Sequence, residues 1–277
     1  MNLFTLEQGD FGILELIEQK NNLLMHAHLQ KKISFWVDGG TSHTRSRSER
    51  SSLNADEATI IGSQVSHELR LDNIKLPVVM LNIYFDELWL SKNQELNNSL
   101  KSLSHGSIQV SKELKILIEK IVNYLHFNTI GDRGNVKAIL DSMLPILVSG
   151  IDLQKATFSK HEESLNRAPL VDYRLKLAIA YMKKNLDNPC STEEIADLVG
   201  LSRSRFFDLF EEQLNSTPSV FWKSMRLEQA IRLLSEGKEK LTSVALELGF
   251  SSPGNFSRFF REHRGVSPSL YRKVSCA

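Results

Sequence analysis

The 277-residue sequence has little cysteine and no long hydrophobic run. Its two cysteines, Cys190 and Cys276, form no C-x-x-C pair, which excludes a disulfide framework and the commonest zinc motifs. An apolar run such as residues 76–85 is far shorter than the ~20 residues that span a bilayer, and the N-terminus lacks the pattern of a signal peptide. We therefore expect a cytoplasmic protein in a reducing compartment, with no membrane contact.

The sequence also lacks an excess of charge of either sign, since the whole chain carries a net charge of only +1. That value hides an asymmetry: residues 167–277 hold 17 Lys and Arg against 13 Asp and Glu, whereas residues 1–166 hold 17 against 20. The length suits two domains of roughly 100–200 residues, and 41% hydrophobic with 24% charged residues is typical of globular proteins. Two parts of different charge are expected to have different functions.

The first part of the sequence predicts strands followed by helices. Short runs rich in Ile, Val, Leu and Phe alternate with turn signals, which is typical of a small barrel or sandwich. Farther along, the apolar residues of 111–127 and 136–147 each fall on one helical stripe, with the glycine-rich turn 131–134 between them, which predicts a helical hairpin. Its stripe can pack on its own barrel or form a homodimer through residues 111–150. The predicted strands are residues 11–17, 23–28, 33–37, 58–61, 67–71 and 78–85.

A polar segment separates this part from the C-terminal part. Residues 153–169 mostly lack apolar periodicity and end in Pro169, so we predict a linker between a domain of residues 1–152 and a domain of residues 170–277. Beyond it the helix boundaries carry strong signals. They are the capping box Ser191–Glu194, the cap and N1 proline Thr217-Pro218, and Gly237 just past a helix end.

One pattern occurs twice in the C-terminal domain, about 50 residues apart. Ala196, Gly200 and Phe206 have the spacing of a helix-turn-helix: the small residue lets two helices approach, the glycine permits a left-handed turn, and the apolar residue packs the second helix on the first. The same set returns as Ala245, Gly249 and Phe256. A duplicated match with caps is far more specific than a single one, so we predict an all-α domain with two helix-turn-helix motifs.

Residues 244–272, VALELGFSSPGNFSRFFREHRGVSPSLYR, resemble the signature of the AraC/XylS family of bacterial transcription regulators nearly end to end. The resemblance covers about residues 170–273. It departs from the family pattern at Asn255, where an aromatic residue is frequent, and at Val244, which replaces isoleucine. The resemblance implies seven helices, with one recognition helix of each motif entering successive major grooves of double-stranded promoter DNA. It also implies an activator that contacts RNA polymerase.

The first recognition helix begins near Ser202, and its outer face predicts base contacts by Ser204, Phe207 and Asp208. Asp208 can accept a hydrogen bond from a cytosine amino group, and Phe207 can meet a thymine methyl group. The alternative is that Asp208 is a solvated helix charge and Phe207 belongs to the core, because acidic residues facing phosphates are unfavourable.

The second recognition helix predicts base contacts by Asn255, Ser257 and Arg258. Arg258 suits a bidentate contact to guanine, and Asn255 suits adenine. The alternative is a solvated basic face without DNA contacts. The residues expected to contact phosphates are Arg203, Arg205, Arg261 and Arg264.

Histidines in the N-terminal part suggest a sensory site. His26 and His28 share one face of a predicted strand, His67 lies on a later strand, and this spacing loosely resembles the cupin-like sensory domain of many AraC-family regulators. We take these three histidines, with Arg45 and Arg47, as candidate effector contacts, since arginines suit a carboxylate. A solvated edge is the alternative for the arginines. The sequence LQKK follows the paired histidines where metal cupins usually add a carboxylate, so we predict no metal and no cofactor.

The sequence therefore predicts an α+β protein, with a cupin-like β-barrel and helical hairpin followed by an all-α domain. We expect a sequence-specific, non-enzymatic DNA-binding regulator that responds to an unknown small-molecule effector. Two alternatives are a metal-binding cupin enzyme fused to a helical domain and an architectural DNA binder without an effector. The chain has no serine or cysteine triad, phosphate loop or dinucleotide fingerprint.

Overall fold

A computed structural model gives the architecture of the chain. It describes residues 4–46, 49–63, 65–101, 105–127, 133–158, 172–188, 190–214 and 216–276. These residues fall into two compact units, one within Met1–Asn22, Gln30–Ser63 and Glu68–Ser164, the other within Leu23–Leu29, Gln64–His67 and Leu165–Ala277. Across the described residues, no helix is long and apolar enough to cross a membrane.

The N-terminal part forms two sheets. The strands are β1 (Phe4–Gly9), β2 (Gly12–Gln19), β3 (Leu23–His26), β4 (Lys31–Gly39), β5 (Ser42–Arg45), β6 (Arg50–Leu53), β7 (Glu57–Ile61), β8 (His67–Leu71), β9 (Val78–Phe85) and β10 (His105–Gln109). One sheet has the order β1-β2-β9-β4-β7-β10, the other β3-β8-β5-β6. Neighbouring strands such as β2 and β9 pair antiparallel. All six predicted strands are present, but the one predicted over residues 23–28 ends at His26, so His28 lies beyond the strand. The sequence misses β1, β5, β6 and β10, since short polar segments such as SHTR and RSSL carry no strand signal of their own.

The predicted helical hairpin is confirmed and packs on the larger sheet. Buried residues of the two hairpin helices, among them Ile118, Ile121 and Met143, share one hydrophobic core with sheet residues such as Leu16 and Ile83. Of the two uses predicted for the apolar stripe, the described residues show packing on the chain's own sheet. The helices of this part are α1 (Glu87–Lys92), α2 (Gln94–Lys101), α3 (Lys112–Phe127) and α4 (Arg133–Phe158).

Helix α4 is longer than predicted and continues to Phe158, so the first residues of the expected 153–169 linker are helical. Residues 159–171 lie outside the described part of the chain. The domain limits 1–152 and 170–277 therefore stay a prediction.

The second face of the larger sheet carries a row of buried polar side chains. Glu15, Asn82, Ser34 and Thr59 lie opposite one another on the neighbouring strands β2, β9, β4 and β7. Glu15 Oε2 accepts hydrogen bonds from Asn82 Nδ2 at 2.9 Å and from the Tyr84 hydroxyl at 3.4 Å. Within the described residues, Asn82 Oδ1 and Ser34 Oγ are buried without a hydrogen-bond partner. Buried polar atoms are normally paired, so this row is unusual for a protein core.

Seven helices form the described part of residues 172–276, as the family resemblance implies. Their predicted caps are confirmed: Ser191 and Glu194 form a reciprocal capping box, Thr217 Oγ1 accepts from the Val220 amide, and Gly237 ends its helix with φ of 67°. The helices are α5 (Tyr173–Lys184), α6 (Thr192–Leu198), α7 (Arg203–Leu214), α8 (Pro218–Glu236), α9 (Leu241–Glu247), α10 (Pro253–Arg264) and α11 (Pro268–Ser275).

Candidate nucleic-acid interface

The two copies of the duplicated pattern have the same backbone geometry. Gly200 and Gly249 have φ of 67° and 69°, values that favour glycine. The amide after each glycine donates to the carbonyl of the predicted small residue, Leu201 to Ala196 and Phe250 to Ala245, both at 2.9 Å. The helix pairs α6–α7 and α9–α10 are therefore two helix-turn-helix motifs.

The outer face of α7 is exposed at Ser204 and Asp208, while Phe207 is half-buried. Its arginines are already paired on the protein: Arg203 Nε lies 3.1 Å from Glu193 Oε1, and Arg205 Nη1 lies 3.4 Å from Glu212 Oε1. The Arg203 guanidinium also lies 5.7 Å from the centre of the Phe207 ring. Such surface pairs are weak, so phosphates can displace them. Because the ion pair with the glutamate is lost in the exchange, each phosphate contact adds less binding free energy than a contact from an unpaired arginine.

The outer face of α10 is more basic and more available. Asn255, Arg258 and Arg261 are exposed, and Ser257 is half-buried. Within the described residues, neither Arg258 nor Arg261 forms an ion pair. Asn255 Nδ2 donates to Ser251 Oγ at 2.8 Å, which fixes the amide near the start of the helix. This face can offer two guanidinium groups and one amide to DNA.

Arg264 does not suit the phosphate contact predicted for it. Its side chain is only 7% exposed, and its guanidinium lies 5.6 Å from the centre of the Tyr271 ring. The helix ends at Arg264, and the side chain turns onto the neighbouring helix α11 instead of toward solvent. A stacked, buried guanidinium stabilises packing and cannot reach a phosphate.

The three predicted sensory histidines come together, and a fourth that the sequence analysis missed joins them. Ring centres are 4.2 Å apart for His26 and His67, 5.0 Å for His28 and His67, and 6.5 Å for His26 and His263 of α10. The intervening Ala27 amide donates to Ser224 Oγ of α8 at 3.2 Å. All of these residues belong to the second compact unit. No sequence signal links His263 to the other three, since it lies 196 to 237 residues away from them.

Arg45, the other candidate effector residue that the structure describes, belongs to the first compact unit. Arg45 is exposed on β5, opposite Arg50 and Glu68 of the neighbouring strands β6 and β8. Arg47 lies outside the described residues. Among the residues that are described, no group of three or more His, Cys, Asp and Glu side chains is placed to hold a metal ion.

Acid should destabilise the second unit through His263. Burial lowers the pKa of its imidazole below the usual value of about 6.5, and the hydrogen bond to the Phe259 carbonyl opposes this only in part. The unfolded chain therefore binds the proton first, so the stabilisation is complete above the unfolded pKa and is lost as pH falls below it. We expect a loss of at most about 1.4 kcal/mol per pH unit from this group.

Urea unfolding at about pH 7.5 and about pH 5.5 tests this expectation. His263→Gln should show a shallower loss of stability with acid than the wild-type protein. Equal slopes for wild type and His263→Gln would contradict the assignment.

These motifs and their basic face define a DNA-binding protein with two recognition helices. A family model described as a helix-turn-helix domain matches residues 195–274. An uncharacterised HTH-type transcriptional regulator of Haemophilus influenzae is 24% identical over 268 residues, which cover 95% of this chain and 86% of that protein. The raffinose operon regulatory protein RafR of Pediococcus pentosaceus is 32% identical over 100 residues; the match covers 36% of either chain, about a third of the relative's length.

Among solved structures, ToxT of Vibrio cholerae matches 94% of this chain and 96% of its own, with a TM-score of 0.55 and 15% identity. That likeness shows the fold: an N-terminal sheet domain followed by a helical domain with helix-turn-helix motifs. Residues 195–274 therefore form an AraC-type helix-turn-helix domain, and the chain resembles an HTH-type transcriptional regulator along most of its length.

Proposed function

We propose that the protein binds promoter DNA sequence-specifically, with α7 and α10 in two successive major grooves. The observation that carries this is the repeated helix-turn-helix geometry, in which equivalent exposed faces follow equivalent turns. A recognition helix reads bases with residues near its N-terminus, and a rigid tandem places two such helices on one DNA face.

The base contacts in this proposal come from both helices. Arg258 offers a bidentate contact to guanine and Asn255 a contact to adenine, whereas Ser204, Ser257, Phe207 and Asp208 supply shorter or apolar contacts. Arg203, Arg205 and Arg261 remain the proposed phosphate contacts, and Arg264 leaves this set because it is buried. Since Arg258 and Arg261 form no ion pair within the described part of the chain, α10 is expected to supply more of the affinity than α7.

The N-terminal unit is proposed to bind the small effector. The polar row Glu15, Asn82, Ser34 and Thr59 supports this, since Asn82 Oδ1 and Ser34 Oγ are acceptors that a ligand with hydrogen-bond donors would satisfy. A ToxT structure is described with an unsaturated fatty acid bound, which supports small-molecule control in this fold. The histidine cluster is the other candidate place for an effector contact.

Three further parts of the proposal follow from the family. The protein is proposed to activate transcription by contacting RNA polymerase, and to act in the cytoplasm, where bacterial promoters are. It is also proposed to form a homodimer through residues 111–150. Since the apolar stripe of this region is buried in its own core, a partner would use the outer faces of α3 and α4, where Ile116 is exposed.

Selection from random duplex DNA with the full chain tests the proposal directly. We expect enrichment of one bipartite sequence, and footprinting on that sequence should protect two adjacent major grooves on one DNA face. Failure to enrich any sequence at a salt concentration where non-specific binding is suppressed would refute it. A thermal-shift screen of small metabolites on the same preparation tests the effector, since a ligand that binds the folded state raises the melting temperature.

A further inference from the structure

Arg226, in the middle of α8, connects this central helix to the second helix-turn-helix. Its Nε donates to the carbonyl oxygen of Leu248 at 3.1 Å, and its Nη2 donates to the same oxygen. Leu248 is the C-terminal cap of α9, where the chain turns toward α10. The two hydrogen bonds therefore satisfy a carbonyl at the negative end of α9 with a cation.

The guanidinium of Arg226 also contacts the aromatic residues that lead into α10. It lies 4.0 Å from the ring centre of Phe250, in the turn, and 5.9 Å from that of Phe259, on α10. The two rings lie 5.0 Å apart. The side chain is half-buried, and loss of hydration lowers the pKa of Arg226 from its usual value, although the group stays charged. One side chain thus touches the central helix, the turn and the recognition helix.

We propose that Arg226 is a positioning residue that sets the orientation of α10 and thereby how Asn255 and Arg258 reach the bases. This role rests on the proposed function. It adds to that function a residue, Arg226, that is required for α10 to recognise the bases in the second half of the DNA site. A bidentate arginine–guanine contact needs two aligned hydrogen bonds, so a small rotation of the helix removes most of its discrimination. Arg226 acts through α10 and does not itself touch DNA.

The first motif lacks the equivalent contact surface. Leu201 stands 49 residues before Phe250, at the same place in the turn, and its aliphatic side chain offers no ring face on which a guanidinium can stack. Among the described residues, this stacking contact occurs at the second motif and not at the first. Its loss should therefore affect one half of the DNA site, whereas a general loss of folding would affect both halves.

Arg226→Lys is the informative variant, because it keeps the charge but loses the planar donor pair and the stacking surface. Arg232→Gln is the matched control on the same helix, since Arg232 is exposed and pairs with Glu236. The Kd of each full-length variant is measured for the selected sequence and for two derivatives with either half scrambled. Circular dichroism and the melting temperature are recorded for every variant.

For Arg226→Lys we expect a loss of about tenfold or more on the intact sequence, comparable to losing one bidentate base contact. In this variant, scrambling the second half of the DNA site should weaken binding only a little further. Scrambling the first half should raise the Kd by the same factor as in the wild type. Combining Arg226→Lys with Arg258→Ala should add less than the sum of the single losses. Arg232→Gln should behave like the wild type.

Phe250→Leu is a second test of the same role. It introduces the residue type that the first motif has at Leu201, and it removes the ring on which the guanidinium stacks while Arg226 stays in place. If Arg226→Lys does not fold, the same half-site pattern is required of Phe250→Leu. Equal losses at both halves, or unchanged binding in the folded variants, would overturn the positioning role while wild-type selection still supports the proposed function. A wild-type protein that selects no sequence overturns both.

Discussion

Replacement of Gly249 by alanine is expected to destabilise the C-terminal helices by more than about 4 kcal/mol, whereas Gly200→Ala should cost only about 1–2 kcal/mol. Both glycines have the same left-handed conformation, so both variants suffer the same backbone strain. Only Gly249 lies against another part of the backbone. A Cβ there would overlap the carbonyl oxygen of Asp187 and lie 2.5 Å from its carbonyl carbon, whereas nothing lies within 4 Å of one at Gly200.

The backbone at Asp187 cannot move aside as a flexible side chain would, so the second turn or the loop after α5 must shift. Chemical unfolding of both variants, followed by circular dichroism, gives the two free energies under one condition. Gly200→Ala is the matched control for Gly249→Ala, because both variants have the same change in backbone propensity and the same strain. Only Gly249→Ala also brings a methyl group against the backbone of Asp187. Similar destabilisation of the two variants would show that the loop after α5 accommodates the added methyl group.

Arg258→Ala is expected to weaken binding to the selected sequence by about 1–3 kcal/mol, which is about 5- to 150-fold in Kd, and to relax specificity at one base pair. The physical reason is that Arg258 is exposed in the second turn of α10, with no ion pair among the described residues, so its five donors are available for a guanine edge. Arg261→Ala, three residues farther along the same helix, is the matched control for loss of charge.

Binding is measured on the selected sequence and on all single-base substitutions, at several salt concentrations. Arg261→Ala should weaken binding to every sequence by a similar factor and reduce the slope of log K against log salt by about 1. Arg258→Ala should instead remove the preference at one position. If Arg258→Ala weakens binding uniformly, then Arg258 is a phosphate contact.

The C-terminal helices are predictable from the sequence because their signals act over short distances. A cap such as Ser191 bonds an amide three residues away, and the turn at Gly200 bonds a carbonyl within five residues. Local chemistry of this kind is visible in a sequence window. The duplicated spacing then distinguishes a DNA-binding tandem from an ordinary helical pair.

The N-terminal sheets are less predictable, because a strand depends on partners far along the chain. Segments such as Ser42–Arg45 become strands only through pairing with β6 and β8. The polar row is likewise invisible in sequence, since Glu15 and Asn82 are 67 residues apart and meet only when β2 pairs with β9.

The sequence by itself determined two capped helix-turn-helix motifs and an N-terminal sheet domain with a helical hairpin, because these follow from periodicity and short-range spacing. Only the tertiary structure decided which charged groups face solvent. It buried Arg264, paired Arg203 and Arg205 with glutamates, left Arg258 exposed and placed Arg226 beneath the second turn. Burial and pairing depend on groups that folding brings together from distant positions, and no local pattern records them.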